Sequence, residues 1–434
     1  MRAATAIVLL AALGAGCGPT GSEFPAPFGN FSIGRQRDEA VWIPGSTEKI
    51  CQLTGQLDRQ AGDTTLNETG YRFGLAGTDL GASFEYQGHT RFLFGDTEPT
   101  EYFTGRDNLG SHSEQYNDSI AYTLGSDPER CLVLQFVTGP GGAYLSPKLR
   151  SRSGKPIALG NFEVPISGFG LDDKMYVFFA LGHVHGQLSP YVRSVLGSSA
   201  DGGKTFTEVR EFSSAKFVNV WAAVADRSLI PGLPPDSGSR VLLVWGSEGG
   251  DRYRASQPYL AVLPLSKLAE SGSTQYFAGF APGSATPRWS RTEDQAAPLF
   301  ESHCVGELSA QWNPGVRSWL MLYACREDPR GINLRQAVRP WGPWSEPQVI
   351  FNGARDGDTH FMHQPHRDYL SDPGREELAG GEYAPFFLPF FRQSGAQATI
   401  YYVISTWNPY QVVLMKSRLT VPAQSGTDST RVAQ

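Results

Sequence analysis

"VPISGFGLD" (164–172), "KMYVFFALGH" (174–183) and "SVLGSSADGGKTFTEV" (194–209) follow one another closely, and their patterns differ in a telling way. The first is marked by glycine and proline, the second is almost wholly apolar, and the third alternates with polar residues. Short runs of this kind, rich in β-branched and aromatic residues and bounded by turn formers, read as strands. The order is that of an inner strand, a second strand and outer strands of one propeller blade. It recurs. The apolar runs "HTRFLFGD" (89–96), "SRVLLVWGS" (239–247), "RSWLMLYAC" (317–325) and "ATIYYVIST" (398–406) are each preceded by a strand-like segment: "AGTDLGASF", "VNVWAAVAD", "GELSAQWNP" and "YAPFFLPFF" respectively. The apolar runs lie about 65 to 85 residues apart, wider than the roughly 40 to 50 of common propeller repeats. Five such units predict an all-β chain folded as a five-bladed β-propeller.

Composition agrees. The chain carries 49 Gly and 30 Pro, with 12% aromatic and only 18% charged residues, a punctuation that breaks helices and marks turns. The one stretch that suggests helix is short, "LPLSKLAES" (263–271). Ser199-Ala200-Asp201-Gly202-Gly203-Lys204-Thr205-Phe206 matches the Asp-box of sialidase-type propellers. Asp-Gly-Gly is what a tight hairpin turn requires, so this element is read as a structural turn rather than a ligand site.

Residues 1–17, "MRAATAIVLLAALGAGC", have the basic start, short apolar core and small residues of a secretory signal, too short to span a bilayer core of about 30 Å. The ending Gly14-Ala15-Gly16-Cys17 resembles a bacterial lipobox with its leucine, Leu13, one place early. Acylation at Cys17 is therefore expected, the alternative being ordinary cleavage near Ala15. A modified N-terminal cysteine supplies the several acyl chains that stable anchoring needs. Residues 18–45 read as a tether, 46–420 as the propeller and 421–434 as a disordered tail. The expected location is the cell envelope, through a lipid anchor in the outer membrane or cell surface, or else secretion. Four further cysteines, Cys51, Cys131, Cys304 and Cys325, form an even set in an exported chain, and Cys304 with Cys325 flank one hairpin and are paired on that ground. Net charge of −6 and a pI near 5.8 exclude nucleic acid as the expected partner.

Two glycine-flanked aspartates bracket the first apolar run: Asp79 in Gly77-Thr78-Asp79-Leu80-Gly81 and Asp96 in Gly95-Asp96-Thr97. Asp79 falls at the start of an inner strand and Asp96 at the end of the antiparallel strand that follows. Both side chains therefore return to one face of the propeller. They either meet at one site or serve as Asx-turn residues.

The stretch "GTDLGASFEYQGHTRFLFGDT" (77–97), with "WGSEGGDRYRASQPYLAVLP" (245–264), "CVGELSAQWNPGVRSWLMLY" (304–323), "RPWGPWSEPQVIF" (339–351) and "YYVISTWNPYQVVLM" (401–415), resembles a bacterial family long labelled a domain of unknown function. Some members of that family are glycoside hydrolases, endo-D-arabinofuranases that cut the arabinan of mycobacterial cell walls. The resemblance covers most of residues 70–418 in order. It implies a five-bladed propeller related to furanoside-cleaving enzymes, with acidic residues of blade one in the active site. The insertion "PGLPPDSGSR" (231–240) and the segment 352–380 are departures that could set a different substrate.

Cleaving a glycosidic bond takes two carboxyl groups, one to protonate the leaving oxygen and one to activate water or attack the anomeric carbon. The candidates, in order, are Asp79, Asp96, Glu307 in "HCVGELSAQW" and Asp118 in "YNDSIAYT". Glu307 is a charge inside a half-buried strand run, either catalytic or an ion-pair partner of Arg254 or Arg326. Candidate sugar contacts are Trp221, Arg254, His303, Tyr383, Trp407 and Asn408, with each aromatic open to the alternative of interblade packing. His360, His363 and His366 step by three with Asp356 and Asp358 upstream, but a strand or loop does not gather such a set, and no metal or cofactor is expected. No element for ester, phosphate or peptide chemistry occurs. The expectation is an exported glycoside hydrolase acting on a polysaccharide or cell-wall glycan, with a non-catalytic surface propeller that binds glycan or protein as the second reading.

Overall fold

A computed structural model describes residues 39–100, 117–160, 162–182, 192–250, 256–356 and 361–422. Five sheets make five blades, each running outward from an inner strand, all antiparallel except for one parallel pair in blade two, Thr205–Ser213 with Lys148–Arg150. The inner strands are Leu75–Tyr86, Val164–Leu171, Asn219–Asp226, Leu308–Asn313 and Glu382–Ser394, and every one lies in a segment expected to be innermost. The apolar runs form the second strands: His89–Pro99, Lys174–Leu181, Arg240–Ser247, Ser318–Cys325 and Gln397–Thr406. These strands have neighbours on both faces, which is why they read as continuous apolar runs rather than alternating ones.

The inner strands pack side by side around the axis in the order one, two, three, four, five, one. Serine hydroxyls and an indole stitch four of the five joints. Ser83 Oγ donates to the Phe387 carbonyl (2.7 Å), the Ala222 N–H donates to Ser167 Oγ (2.9 Å), Trp221 Nε1 donates to the Ala310 carbonyl (2.7 Å), and Ser309 Oγ donates to the Pro385 carbonyl (2.9 Å). The remaining joint, between blades one and two, combines a hydrogen bond from Tyr86 Oη to the Asp173 carbonyl (2.8 Å) with close approach. A Cβ on Gly168 would lie 2.5 Å from the Phe84 ring, so only glycine lets the two strands meet there.

Blade five is closed by the start of the described chain. Val41–Trp42 and Glu48–Gln52 both pair with Gln411–Thr420, so the outer edge of the last blade is supplied from the N-terminal side. That shortens the expected tether. Ala40 is buried, and its N–H and carbonyl are both held by the Gln336 side chain of blade four (3.0 and 2.7 Å), so the fold begins by residue 40 rather than 46. At the other end Val421 is likewise buried and donates to the Ala396 carbonyl (2.7 Å), while residues 423–434 lie outside the described residues.

The helix expected over 263–271 is a single 3-10 turn, Leu265–Lys267. The one α-helix among the described residues is instead Thr69–Phe73, ended by Gly74 at φ 71°. The Asp-box is a turn: Asp201 Oδ1 accepts from the Lys204 and Thr205 N–H groups (both 3.0 Å) and from Ser199 Oγ (2.7 Å), while Phe206 is fully buried against Phe179. Two disulfides form, Cys304–Cys325 as expected and also Cys51–Cys131. Together they suggest an extracellular or periplasmic protein. No helix among the described residues is long and apolar enough to cross a membrane.

Candidate active site

The upper half of the inner strand of blade one is irregular. Its register with the second strand shifts three times between Leu75 and Ala82, and Leu80 and Gly81 adopt positive φ (63° and 82°). Bulges of this kind re-aim side chains and are common beside active sites. Asp79 is opposite Gly95, and a Cβ at position 95 would stand 3.0 Å from Asp79 Oδ1 and 2.7 Å from Val164 Cγ1. The glycine before Asp96 therefore makes room for the carboxylate of Asp79. Asp96 itself sits at φ 41°, a left-handed conformation that a non-glycine residue holds at a cost of about 1–3 kcal/mol.

A ladder of buried hydroxyls fixes this corner. Thr78 Oγ1 pairs with Thr97 Oγ1 (2.8 Å), which pairs with Ser119 Oγ (3.0 Å), linking the first three strands of the blade. Each rung is the chain neighbour of one candidate acid: Asp79, Asp96 and Asp118. Thr–Thr and Thr–Ser cross-strand pairs hold neighbouring strands in register, and here they hold three carboxyl groups in step.

Asp118 is buried, Asp79 and Asp96 are half-buried, and their carboxyl groups act on one another. Asp79 takes a hydrogen bond from Tyr383 Oη (3.0 Å), and its other oxygen has no partner among the described residues. Burial, and then the neighbouring Asp96 charge, hold the Asp79 carboxyl well above the usual range, and Glu307 adds to the same effect. Asp96 accepts from the Phe162 N–H (2.8 Å), which favours its charged form, but burial outweighs this and pushes it up to about 7. Asp118 is fully buried, neither carboxyl oxygen has a partner among the described residues, and burial followed by the Asp96 charge raises it well above the carboxylate range. Buried carboxyls in one another's field cannot all ionise, so the cluster retains protons near neutrality.

All four sequence candidates thus belong to one electrostatic unit. Glu307 is buried just ahead of blade four's inner strand, where the Cys304–Cys325 disulfide and the Ala324 N–H donating to the Glu307 carbonyl (3.3 Å) pin the segment that carries it. Tyr383 also belongs to the site, through a carboxylate contact. Three proposed sugar contacts have other tasks. Trp221 is buried, stacked on Phe386 (5.6 Å between centroids), with its N–H spent on the Ala310 carbonyl, and so packs a blade joint. Asn408 is fully buried: its Nδ2 donates to the Arg375 and Leu378 carbonyls and its Oδ1 accepts from the Asp372 N–H, which makes it a loop anchor. His303 is exposed beside the disulfide. Trp407 lies under the Arg375 guanidinium (4.4 Å) and edge-on to Tyr410 (6.0 Å), as part of the wall. Arg254, His360 and Cys17 lie outside the described residues. His363 is buried between Asp368 (2.5 Å) and the Glu376 carbonyl (2.6 Å), and His366 pairs with Glu377 (3.2 Å), so these two do not share a centre.

Two residues of the site went unnoticed in the sequence. Tyr410 Oη donates to the Asp96 carbonyl (3.3 Å), and the ring is held in place by its own N–H, which donates to Asp372 (2.7 Å). Glu98 is buried, with burial lifting it to about 8, and feels Arg375, Asp372 and Asp96. Its signal was present: in a strand, residues two apart share a face, and Glu98 follows Asp96 by two.

No curated protein matches the chain in sequence. Solved structures with a similar chain path include a protein from Bacteroides ovatus (TM-score 0.49, 11% identity, 80% of this chain and 87% of that one) and a GH43_1 enzyme from Xanthomonas citri (0.38, 12%, 83% and 95%). An exo-β-1,3-galactanase from Phanerochaete chrysosporium is similar at TM-score 0.40 and 10% identity, over 85% of this chain but only 64% of that one, under two thirds of its length. Residues 64–416 match the domain of unknown function DUF4185, and the chain belongs to that family.

Proposed function

We propose that the protein is a glycoside hydrolase whose acid and base are Asp79 and Asp96. The observation that carries this is the coupling of the two carboxyls, brought from adjacent strand ends into one cluster in which both stay half-buried. Asp79 has the Asp96 and Glu307 charges as neighbours besides its burial, so it keeps its proton and donates it to the departing glycosidic oxygen. Asp96, balanced near 7, is ionised often enough at neutral pH to take a proton from water or to attack the anomeric carbon. Asp96 and Glu307 keep the acid protonated by like-charge repulsion. Electrostatic coupling of this kind serves no turn, and a turn aspartate would sit at the surface.

The substrate proposed is a furanosidic, arabinan-like polysaccharide, supported by the sequence resemblance to endo-D-arabinofuranases. Incubation with arabinan and arabinogalactan, with xylan as the pyranosidic control, should release oligosaccharides from the first two alone. Proton NMR of the nascent anomeric centre separates attack by Asp96, with retention, from activation of water, with inversion. A native protein that releases nothing from any glycan would leave a binding propeller as the function. The chain is further proposed to be held on the cell envelope through acylated Cys17; detergent partitioning that is unchanged in Cys17→Ala would contradict this.

A further inference from the structure

A cavity of about 410 Å³ opens beside the acidic cluster, within the range of about 300–1,000 Å³ usual for small-molecule sites. Three parts of the chain build it: Arg330 on the turn between the second and third strands of blade four, Glu382 at the start of blade five, and Gly353, Met362, Gln364 and Arg367 from the described residues between them. The location follows from strand geometry. Successive residues of a strand point to opposite faces. Tyr383 turns toward Asp79 and binds it, so Glu382, the residue before it, turns the other way and into the cavity. The two sites are therefore back to back across one strand.

The cavity's chemistry is unlike that of the catalytic cluster. One Glu382 oxygen accepts from the Gly353 N–H (3.1 Å), which leaves the carboxyl group further acceptor positions. Among the described residues neither the Arg330 nor the Arg367 guanidinium makes an ion pair or a side-chain hydrogen bond, although both line this cavity. Some exposed arginines of this acidic chain are paired, as Arg392 is with Asp127 (2.6 Å) and Arg418 with Glu48 (3.2 Å), but these two are free of ion pairs among the described residues and share one concave surface. Two unspent guanidinium forks around a concave surface are the geometry that grips a planar or tetrahedral anion, and a carboxyl group opposite them accepts from hydroxyls.

We propose that this cavity is a second carbohydrate subsite, which seats a sugar unit bearing an anionic group, a carboxylate or a phosphate ester, with Arg330 and Arg367 on the anion and Glu382 on the ring hydroxyls. It deepens the glycan-hydrolase function by adding an acidic decoration to the glycan recognised, but the binding itself needs no turnover.

The test is calorimetric titration of the purified chain with D-glucuronate, with D-glucose 6-phosphate and with D-glucose. At least one acidic sugar should bind saturably where glucose does not, and which of the two binds names the anion. In Arg330→Gln/Arg367→Gln, checked for an unchanged melting temperature, affinity should fall tenfold or more. Arg330→Lys/Arg367→Lys, which keeps the charge but loses the forks, should fall between the two. Affinity should also weaken as salt rises. Asp79→Asn should bind the acidic sugar like the native protein, so a failure to hydrolyse any glycan leaves this result standing. No saturable binding of either acidic sugar, equal binding of glucose, or equal binding by the Gln variant would each overturn the proposal.

Discussion

Replacing Asp96 with Asn should make the protein more stable at alkaline pH while removing its chemistry. Burial moves the Asp96 carboxyl from 3.8 to about 7. At 1.36 kcal/mol per tenfold, that difference is worth about 4 kcal/mol. The unfolded chain releases this proton near pH 4, whereas the folded chain keeps it until about pH 7. Between those limits the folded state binds more protons than the unfolded one, so stability falls as pH rises. The contribution is complete below about pH 4 and gone above about pH 7. Asparagine is neutral throughout, tolerates the φ of 41°, and presents an Oδ1 that can accept the Phe162 N–H. Thermal unfolding from pH 4 to 9 should therefore give a native melting temperature that declines across this window and an Asp96→Asn curve that is flatter. The variant should melt several degrees higher at pH 8.5 and about equally at pH 4.5. Parallel curves would refute the burial of a protonated Asp96. Glu98, lifted to about 8, has the same sign and extends the native decline further into the alkaline range.

Gly95→Ala places a methyl 2.7 Å from Val164 Cγ1 and 2.8 Å from Leu80 Cδ1, so it should cost about 1–3 kcal/mol by overpacking, read as a lowered melting temperature, and displace Asp79. Removing the Cys51–Cys131 link, which closes 80 residues, should cost about 4.5 kcal/mol by the loop-entropy relation, against about 3 kcal/mol for Cys304–Cys325, which closes 21. Denaturant unfolding of the two Ser/Ser variants gives that ranking directly, and the reverse order would count against a mainly entropic role for the bridges.

The propeller was legible because its two innermost strands leave different marks. The second strand of each blade is buried on both faces and appears as an unbroken apolar run such as "KMYVFFAL", while the inner strand is spotted with the glycines and serines that blade joints require, as Gly168, Ser167 and Ser309 show. Asp79 and Asp96 were legible as glycine-flanked residues at the two ends of one hairpin, and Glu307 because a carboxyl in a strand run is costly to bury and stands out. Side-chain destinations were not legible. Trp221 and Trp407 carry the same local pattern as sugar platforms, and only the packing of distant blades and of the 361–380 segment decides that they are walls. Asn408 is consumed by backbone groups 30 to 36 residues away in sequence, which no local pattern reports. Tyr410 likewise reaches Asp96 across 314 positions. The helical expectation at 263–271 failed because Pro264 and the Ser271–Ser273 turn leave space for one turn only.

The most direct test is the turnover of Asp79→Asn and Asp96→Asn on a furanosidic arabinan that the native protein cleaves. Each substitution keeps the side chain's shape and removes the carboxyl proposed to transfer the proton or attack, and losing a positioned acid or base costs about 10² to 10⁴ in rate. Both variants should fall by that factor while staying folded. Native turnover in either one would contradict the assignment of that residue to the chemistry.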